Sequence, residues 1–146
     1  MSPHADFIEQ ALELIGTPYR WGGKDPASGL DCSGFITYAL WKATGRDLRA
    51  THNTDRLWWE WQPAKYPRAG DVAFFGGAGP ADVEHVMMVL PLDGDASLPE
   101  LLVGACGGDR TTVTLREAQR RGARVQVKQG TGYRSDFRGY RKVPLP

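Results

Sequence analysis

The chain has 146 residues, 41% of them apolar and 24% charged, with 18 glycines and 10 prolines. This length suits one domain spanning residues 1–146 and is too short for two ordinary domains with a linker, while the composition excludes disordered and fibrous classes. Lys and Arg number 18 against 17 Asp and Glu, so a formal net charge of +1 gives no global pull toward nucleic acid or an anionic membrane, and no nucleic-acid partner is expected.

The first residues lack a basic region followed by an apolar run, and no stretch approaches the roughly 18 apolar residues of a membrane span. A soluble chain without a signal peptide or transmembrane segment is expected. Cys32 and Cys106 are read as free thiols, because a chain of this size builds a core without a disulfide.

Residues 5–15 place Phe7, Ile8, Ala11, Leu12, Leu14 and Ile15 at helical spacing, and Gly16 and Pro18 end that helix. Residues 17–30 carry Pro18, Gly22, Gly23, Pro26 and Gly29, which predicts a loop. A second helix, mostly buried, runs from Ser33 to Gly45 with Asp31 as its N-cap and Cys32 in its first turn. A third is predicted over residues 53–61, closed by Pro63 and Pro67. Strands are then predicted over 71–75, 85–90 and 101–106, with a polar excursion over 92–99, a further strand over 111–115 and a last one over 139–143. Residues 116–121 read as one helical turn and 129–136 as a mobile loop. Helices first and strands afterwards is the α+β order.

A cysteine in the first turn of a helix has free N–H groups and the positive end of the helix dipole beside it, which favours the thiolate. Cys32 is therefore a candidate nucleophile, with a small buried hydrophobe as the bland alternative. A thiol nucleophile needs a base, and the histidines are His4, His52 and His85. His85 opens an apolar strand, a costly place for an unpartnered imidazole, and is the preferred base.

Tyr19-Arg20-Trp21-Gly22-Gly23, Asp31-Cys32-Ser33-Gly34-Phe35, Ala69-Gly70-Asp71-Val72-Ala73-Phe74-Phe75 and His85-Val86-Met87-Met88-Val89 together resemble the NlpC family of papain-like cell-wall cysteine peptidases, over residues from about Phe7 to Gly108. The resemblance implies an α+β, papain-like NlpC fold, with N-terminal helices packed on a central antiparallel β-sheet. It implies hydrolysis of an amide bond in peptidoglycan stem peptides, between D-glutamate and the diamino acid, through a Cys32 thioester with His85 as base. Tyr19, Asp31, Ser33 and Trp21 then belong to the substrate-binding set, with the Cys32 N–H and Tyr19 as oxyanion donors. The bland alternatives are a cap for Asp31, packing for Tyr19 and a first-turn hydroxyl for Ser33.

The family's third catalytic residue, a polar group that orients the histidine, falls on Gly104, which has no side chain. A backbone carbonyl, Cys106 in a shifted register, Asp109 or Glu84 are the candidates for that role. Cys106 is carried as the third catalytic candidate, with a core thiol as its alternative. Trp58, Trp59 and Trp61 suit either sugar stacking or core packing, and Arg110, Arg116, Arg120, Arg121, Arg124 and Lys128 suit either wall binding or a solvated face.

No metal-ligand spacing is present and no cofactor is expected. The expected partner is a peptidoglycan stem peptide, met by a monomer in the periplasm or cell wall after delivery by a phage tail or a secretion apparatus. An acyltransferase or amidase on the same fold, and a decayed stem-peptide-binding module, are the alternatives.

Overall fold

Caps and apolar spacing agree at the start of the chain. The computed structural model describes residues 2–90 and 100–146, so the polar excursion expected over 92–99 lies outside the described residues. Helix α1 (Pro3–Glu13) begins where the Ser2 hydroxyl accepts from the Ala5 N–H at 3.1 Å, with Pro3 in its first turn, and it buries Phe7 and Ala11. It starts two residues earlier than its apolar spacing suggests, because Ser2 and Pro3 supply the start signal. Helix α2 (Cys32–Thr44) ends at Gly45, whose φ of +80° suits glycine. Helix α3 (Thr54–Glu60) is capped by Asn53. α2 is the central helix, buried on nearly every side from Cys32 to Leu40.

Among the described residues, four α-helices accompany a six-stranded antiparallel sheet. A short hairpin comes first, β1 (Lys24–Asp25) with β2 (Gly29–Leu30), inside the segment expected to be loop. The sheet then comprises β3 (Gln62–Pro63), β4 (Val72–Gly76), β5 (Val83–Val89), β6 (Leu101–Cys106), β7 (Arg124–Gln129) and β8 (Phe137–Lys142), in the spatial order β3-β8-β4-β5-β6-β7. One face carries Phe74, Val86, Met88 and Val103 in a cluster with Phe35, Ile36 and Leu40 of α2. The other carries Ala73, Phe75, Met87, Leu102 and Cys106, with Tyr133 and Tyr140 against them. Burial on both faces explains the unbroken apolar runs of β4, β5 and β6.

Several expectations need correction. Residues 111–115 form no strand: the Thr114 hydroxyl accepts from the Glu117 N–H at 3.1 Å and starts helix α4 (Leu115–Arg121), so capping overrides the β-propensity of Thr and Val. β7 went unpredicted because it is an edge strand whose Val125 is buried while Val127 is exposed, a pattern that resembles a solvated face. Residues 129–136 contain a 3₁₀ turn (Thr131–Tyr133), and Tyr133 packs edge-on to Phe75 at 5.5 Å.

The ladder between β5 and β6 holds only Met88 opposite Val103 and Val89 opposite Leu102. Carried on, that register sets His85 across from Cys106, but there the strands are no longer paired. The start of α2 meets β5 at this gap, where Cys32 Sγ lies 3.7 Å from the Glu84 carbonyl oxygen.

A close backbone crossing fixes the start of α2. A Cβ on Gly34 would lie 2.0 Å from the Gly23 carbonyl oxygen, far inside contact distance. Alanine improves helix propensity by about 1 kcal/mol, yet Gly34→Ala is expected to cost about 1–3 kcal/mol net through overpacking. Denaturant unfolding measures this, and an unchanged or raised midpoint would contradict the crossing.

Candidate active site

Asp31 organises the site. Its Oδ1 accepts from the Gly34 N–H at 2.7 Å and the Ser33 hydroxyl at 3.3 Å, while Oδ2 accepts from the Gly22 N–H at 3.1 Å. One carboxylate thus caps α2 and ties the Tyr19–Gly23 loop to it; the Asp31 N–H also donates to the Gly23 carbonyl at 3.1 Å. The loop is held from its other side by the Trp21 N–H, which donates to the Thr112 carbonyl at 2.8 Å. The Tyr19 ring packs against Gly108, where a Cβ would collide with it. The Cys106-Gly107-Gly108 turn is therefore shaped to admit the tyrosine.

Cys32 and His85 line one cleft of about 800 Å³ together with Tyr19, Trp21, Asp31, Ser33 and Cys106. Cys32 is 6% exposed, and its Sγ has Thr54 Oγ1 at 3.5 Å and the Glu84 carbonyl at 3.7 Å. Burial, and then the neighbouring Asp31 carboxylate, push its thiol up to about 11. The expected helix-start depression of the thiol pKa is outweighed by desolvation in this closed arrangement. His85 is 5% exposed, and its Nε2 is buried with no hydrogen-bond partner among the described residues. Burial pushes it down to about 3, with the Arg134 cation acting in the same direction and Asp136 opposing. At neutral pH the pair rests as thiol and neutral imidazole.

A Cβ on Gly104 would meet Met87 Cγ at 3.0 Å, so a side chain at that position needs Met87 to give way. Cys106 reaches the cleft wall and is buried. Asp109 lines the cleft as well, but its Oδ1 is engaged by Thr111 and by Arg121 at 2.9 Å. Glu84 has an exposed side chain, and it is its carbonyl that meets the thiol.

The NlpC/P60 family model matches residues 16–139, most of the chain. The chain belongs to the NlpC/P60 family. Protein P54 of Enterococcus faecium is 43% identical over 75 residues, 51% of this chain and 14% of that protein. The probable peptidoglycan endopeptidase LytE of Bacillus subtilis is 43% identical over 68 residues, 47% of this chain and 19% of that protein. The chain thus spans under a fifth of the length of these relatives. Among solved structures, the NlpC/p60 domain of the peptidoglycan hydrolase SagA superposes with a TM-score of 0.61 at 26% identity, covering 96% of this chain and 98% of that one. RipD of Mycobacterium tuberculosis, described as a non-catalytic NlpC/p60 protein adapted to peptidoglycan binding, superposes with a TM-score of 0.68 at 21% identity, covering 99% of each chain, a likeness of fold.

Within this NlpC/P60 chain the other sequence candidates separate. His52 is buried and satisfied, with Glu60 Oε2 at 2.6 Å and Thr51 Oγ1 at 2.7 Å, and His4 is exposed on α1. Trp58 and Trp61 are buried, and the Arg141 guanidinium stacks 3.4 Å over Trp58, so these two pack. Trp59 and Trp21 are 59% and 53% exposed. The basic tract divides between α4 and β7, with Arg120 and Arg121 paired to Glu117. Thr54, Arg134 and Asp136 were not singled out from sequence. Thr54 follows the Asn53 cap, which is itself legible, but which cleft it faces depends on the packing of α3.

Two outcomes follow from the electrostatics. Asp31→Asn keeps a capping oxygen and removes a charge that disfavours the thiolate, so the pH midpoint of iodoacetamide alkylation at Cys32 is expected to move down; an upward move would contradict the placement. His85 has a folded pKa of about 3 against an unfolded value of about 6.5, so its contribution to stability is complete above pH ~6.5 and is lost progressively as pH falls toward the folded value. The thermal midpoint is therefore expected to drop more steeply on acidification in the wild type than in His85→Gln, and equal slopes would contradict burial of a neutral imidazole.

Proposed function

We propose that this chain is a peptidoglycan hydrolase, a cysteine endopeptidase that cleaves stem peptides at the amide between D-glutamate and the diamino acid. The observation that carries the reading is a thiol at a helix start lining one cleft with a buried histidine. The NlpC/P60 membership and relatives such as LytE, whose name records probable peptidoglycan endopeptidase activity, support the substrate class.

In this reading the stem-peptide carbonyl enters beside Cys32. The thiol proton passes to the His85 imidazole as the S–C bond forms, so the cost of charging two buried groups is met only when the attack takes place. The oxyanion accepts from the Cys32 N–H, one of the open donors at the start of α2, and from the Tyr19 hydroxyl, whose pKa is raised by burial and which therefore stays protonated as a donor. Collapse breaks the C–N bond, and His85 gives the proton to the leaving amine. Water then attacks the thioester, with His85 taking its proton. Asp31, Ser33 and Trp21 at the cleft wall bind the amino end of the stem, Asp31 through its anionic oxygens. Cys106, which lines the same cleft as His85, takes the third position. Action on peptidoglycan places the enzyme outside the cytoplasm, in the wall; no helix among the described residues is long and apolar enough to cross a membrane.

Mass spectrometry of stem peptides and muropeptides after incubation tests this. The wild type is expected to yield the D-glutamyl product, and Cys32→Ala and His85→Ala to lower the rate by about a thousandfold or more. Fragments that stay intact while still binding the protein would favour a binding module, and a product extended by an amine would favour acyl transfer.

A further inference from the structure

The cleft holds a cation fixed in advance. Arg134 directs Nε and Nη2 at the two carboxylate oxygens of Asp136, at 2.8 and 2.6 Å, and its guanidinium carbon lies 5.6 Å from the Phe75 ring centre. Phe75 is the cross-strand partner of His85, with ring centres 5.5 Å apart, and Arg134 and His85 line the same cleft, where the guanidinium charge acts on the imidazole. Asp136 is anchored in turn, because its carbonyl accepts from the Gly76 N–H at the end of β4 at 2.9 Å. The fork is thus engaged on one side, while Nη1 has no hydrogen-bond partner among the described residues and Arg134 lines the cleft.

The remaining charges of the cleft are mostly negative: Asp31, Asp55, Glu84 and Asp109, with Arg110 as the other cation on the exposed turn. An anionic group arriving beside His85 therefore has one ordered positive partner. We infer that Arg134 is a specificity residue that binds a substrate carboxylate next to the scissile amide through Nη1, with Asp136 holding the guanidinium in place. This rests on the stem-peptide reading above and names what that reading leaves open.

Two carboxylates flank the proposed bond, one on the D-glutamyl residue and one on the diamino acid, and either presents the same chemistry to a guanidinium. Because Asp136 and Phe75 already order the side chain, little rotamer entropy remains to be lost on binding. A second consequence concerns the base. The titratable groups around His85 are Cys32 from α2, Cys106 from β6, Glu84 beside it on β5, and Tyr133, Arg134 and Asp136 from the segment before β8. Arg134 opposes protonation of His85, and a bound carboxylate offsets that charge, so the imidazole becomes a better proton acceptor once the right substrate is seated.

Calorimetry with the Cys32→Ala protein, which binds without turnover, separates the sources. Three synthetic stem peptides serve as probes: both carboxylates free, the D-glutamyl carboxylate amidated, and the diamino-acid carboxylate amidated. Amidation at the recognised position is expected to weaken binding about tenfold to a hundredfold, the scale of one hydrogen bond to a charged group. Arg134→Gln in the same background is expected to abolish that preference, and Arg134→Lys to restore part of it. Should Arg134→Gln fail to fold, Asp136→Asn decides: a weakened preference supports the inference and an unchanged one overturns it. Equal binding of all three peptides, or a preference that survives Arg134→Gln, overturns it too. Absence of cleavage by the wild type would instead remove the peptidase reading, while the binding comparison still judges Arg134.

Discussion

The Asp31 carboxylate is the point on which the rest depends. It satisfies the first-turn N–H of Gly34 that would otherwise be left open at the start of a buried helix, and with its other oxygen it holds the Gly22 N–H of the preceding loop. Cys32 is the next residue, so the position of the thiol is set by the cap itself. The close pass of Gly34 over the Gly23 carbonyl leaves no room for a side chain, which makes the placement rigid. On the opposite wall the gap between β5 and β6 admits the thiol to the edge of β5, one residue from His85.

Such placement has an electrostatic consequence. A helix start and a base are the usual means of activating a cysteine, yet here both groups are buried and the Asp31 charge adds to the penalty on the thiolate. Desolvation is the first cause of the shift at Cys32 and also at His85, and it drives both toward their neutral forms. Both groups therefore favour their neutral forms in the unliganded protein. In the proposed reaction the ion pair forms with the substrate, whose carbonyl would give the negative charge a place between the Cys32 N–H and Tyr19. Thr54, 3.5 Å from Sγ, is a hydroxyl that helps hold the sulfur in place until then.

The parts of this arrangement that rest on local chemistry were legible in the sequence. Asp31 as N-cap, Cys32 in the first turn, Gly45 as the left-handed stop and the three apolar strands β4, β5 and β6 all follow from capping and periodicity. The segment over residues 111–115 was misread because Thr114 acts as a cap there. β7 was missed because an edge strand with one buried valine carries little alternation. His52 is held by Glu60 one helix along, Trp58 is stacked under Arg141 from the far end of the chain, and the Trp61 ring is enclosed by the core. Arg134 and Asp136 had no local signature at all: their meaning comes from Phe75, which brings a C-terminal segment onto the strand that carries His85.

The intact mass of the protein, acid-quenched during turnover of a stem peptide, bears most directly on the claim that the buried Cys32 thiol becomes an acyl carrier. A thioester adduct with the mass of the D-glutamyl-ended fragment, mapped to Cys32, is expected, with neither adduct nor cleavage in Cys32→Ala. Cleavage that persists in Cys32→Ala, or an adduct that maps to Cys106, would contradict the account.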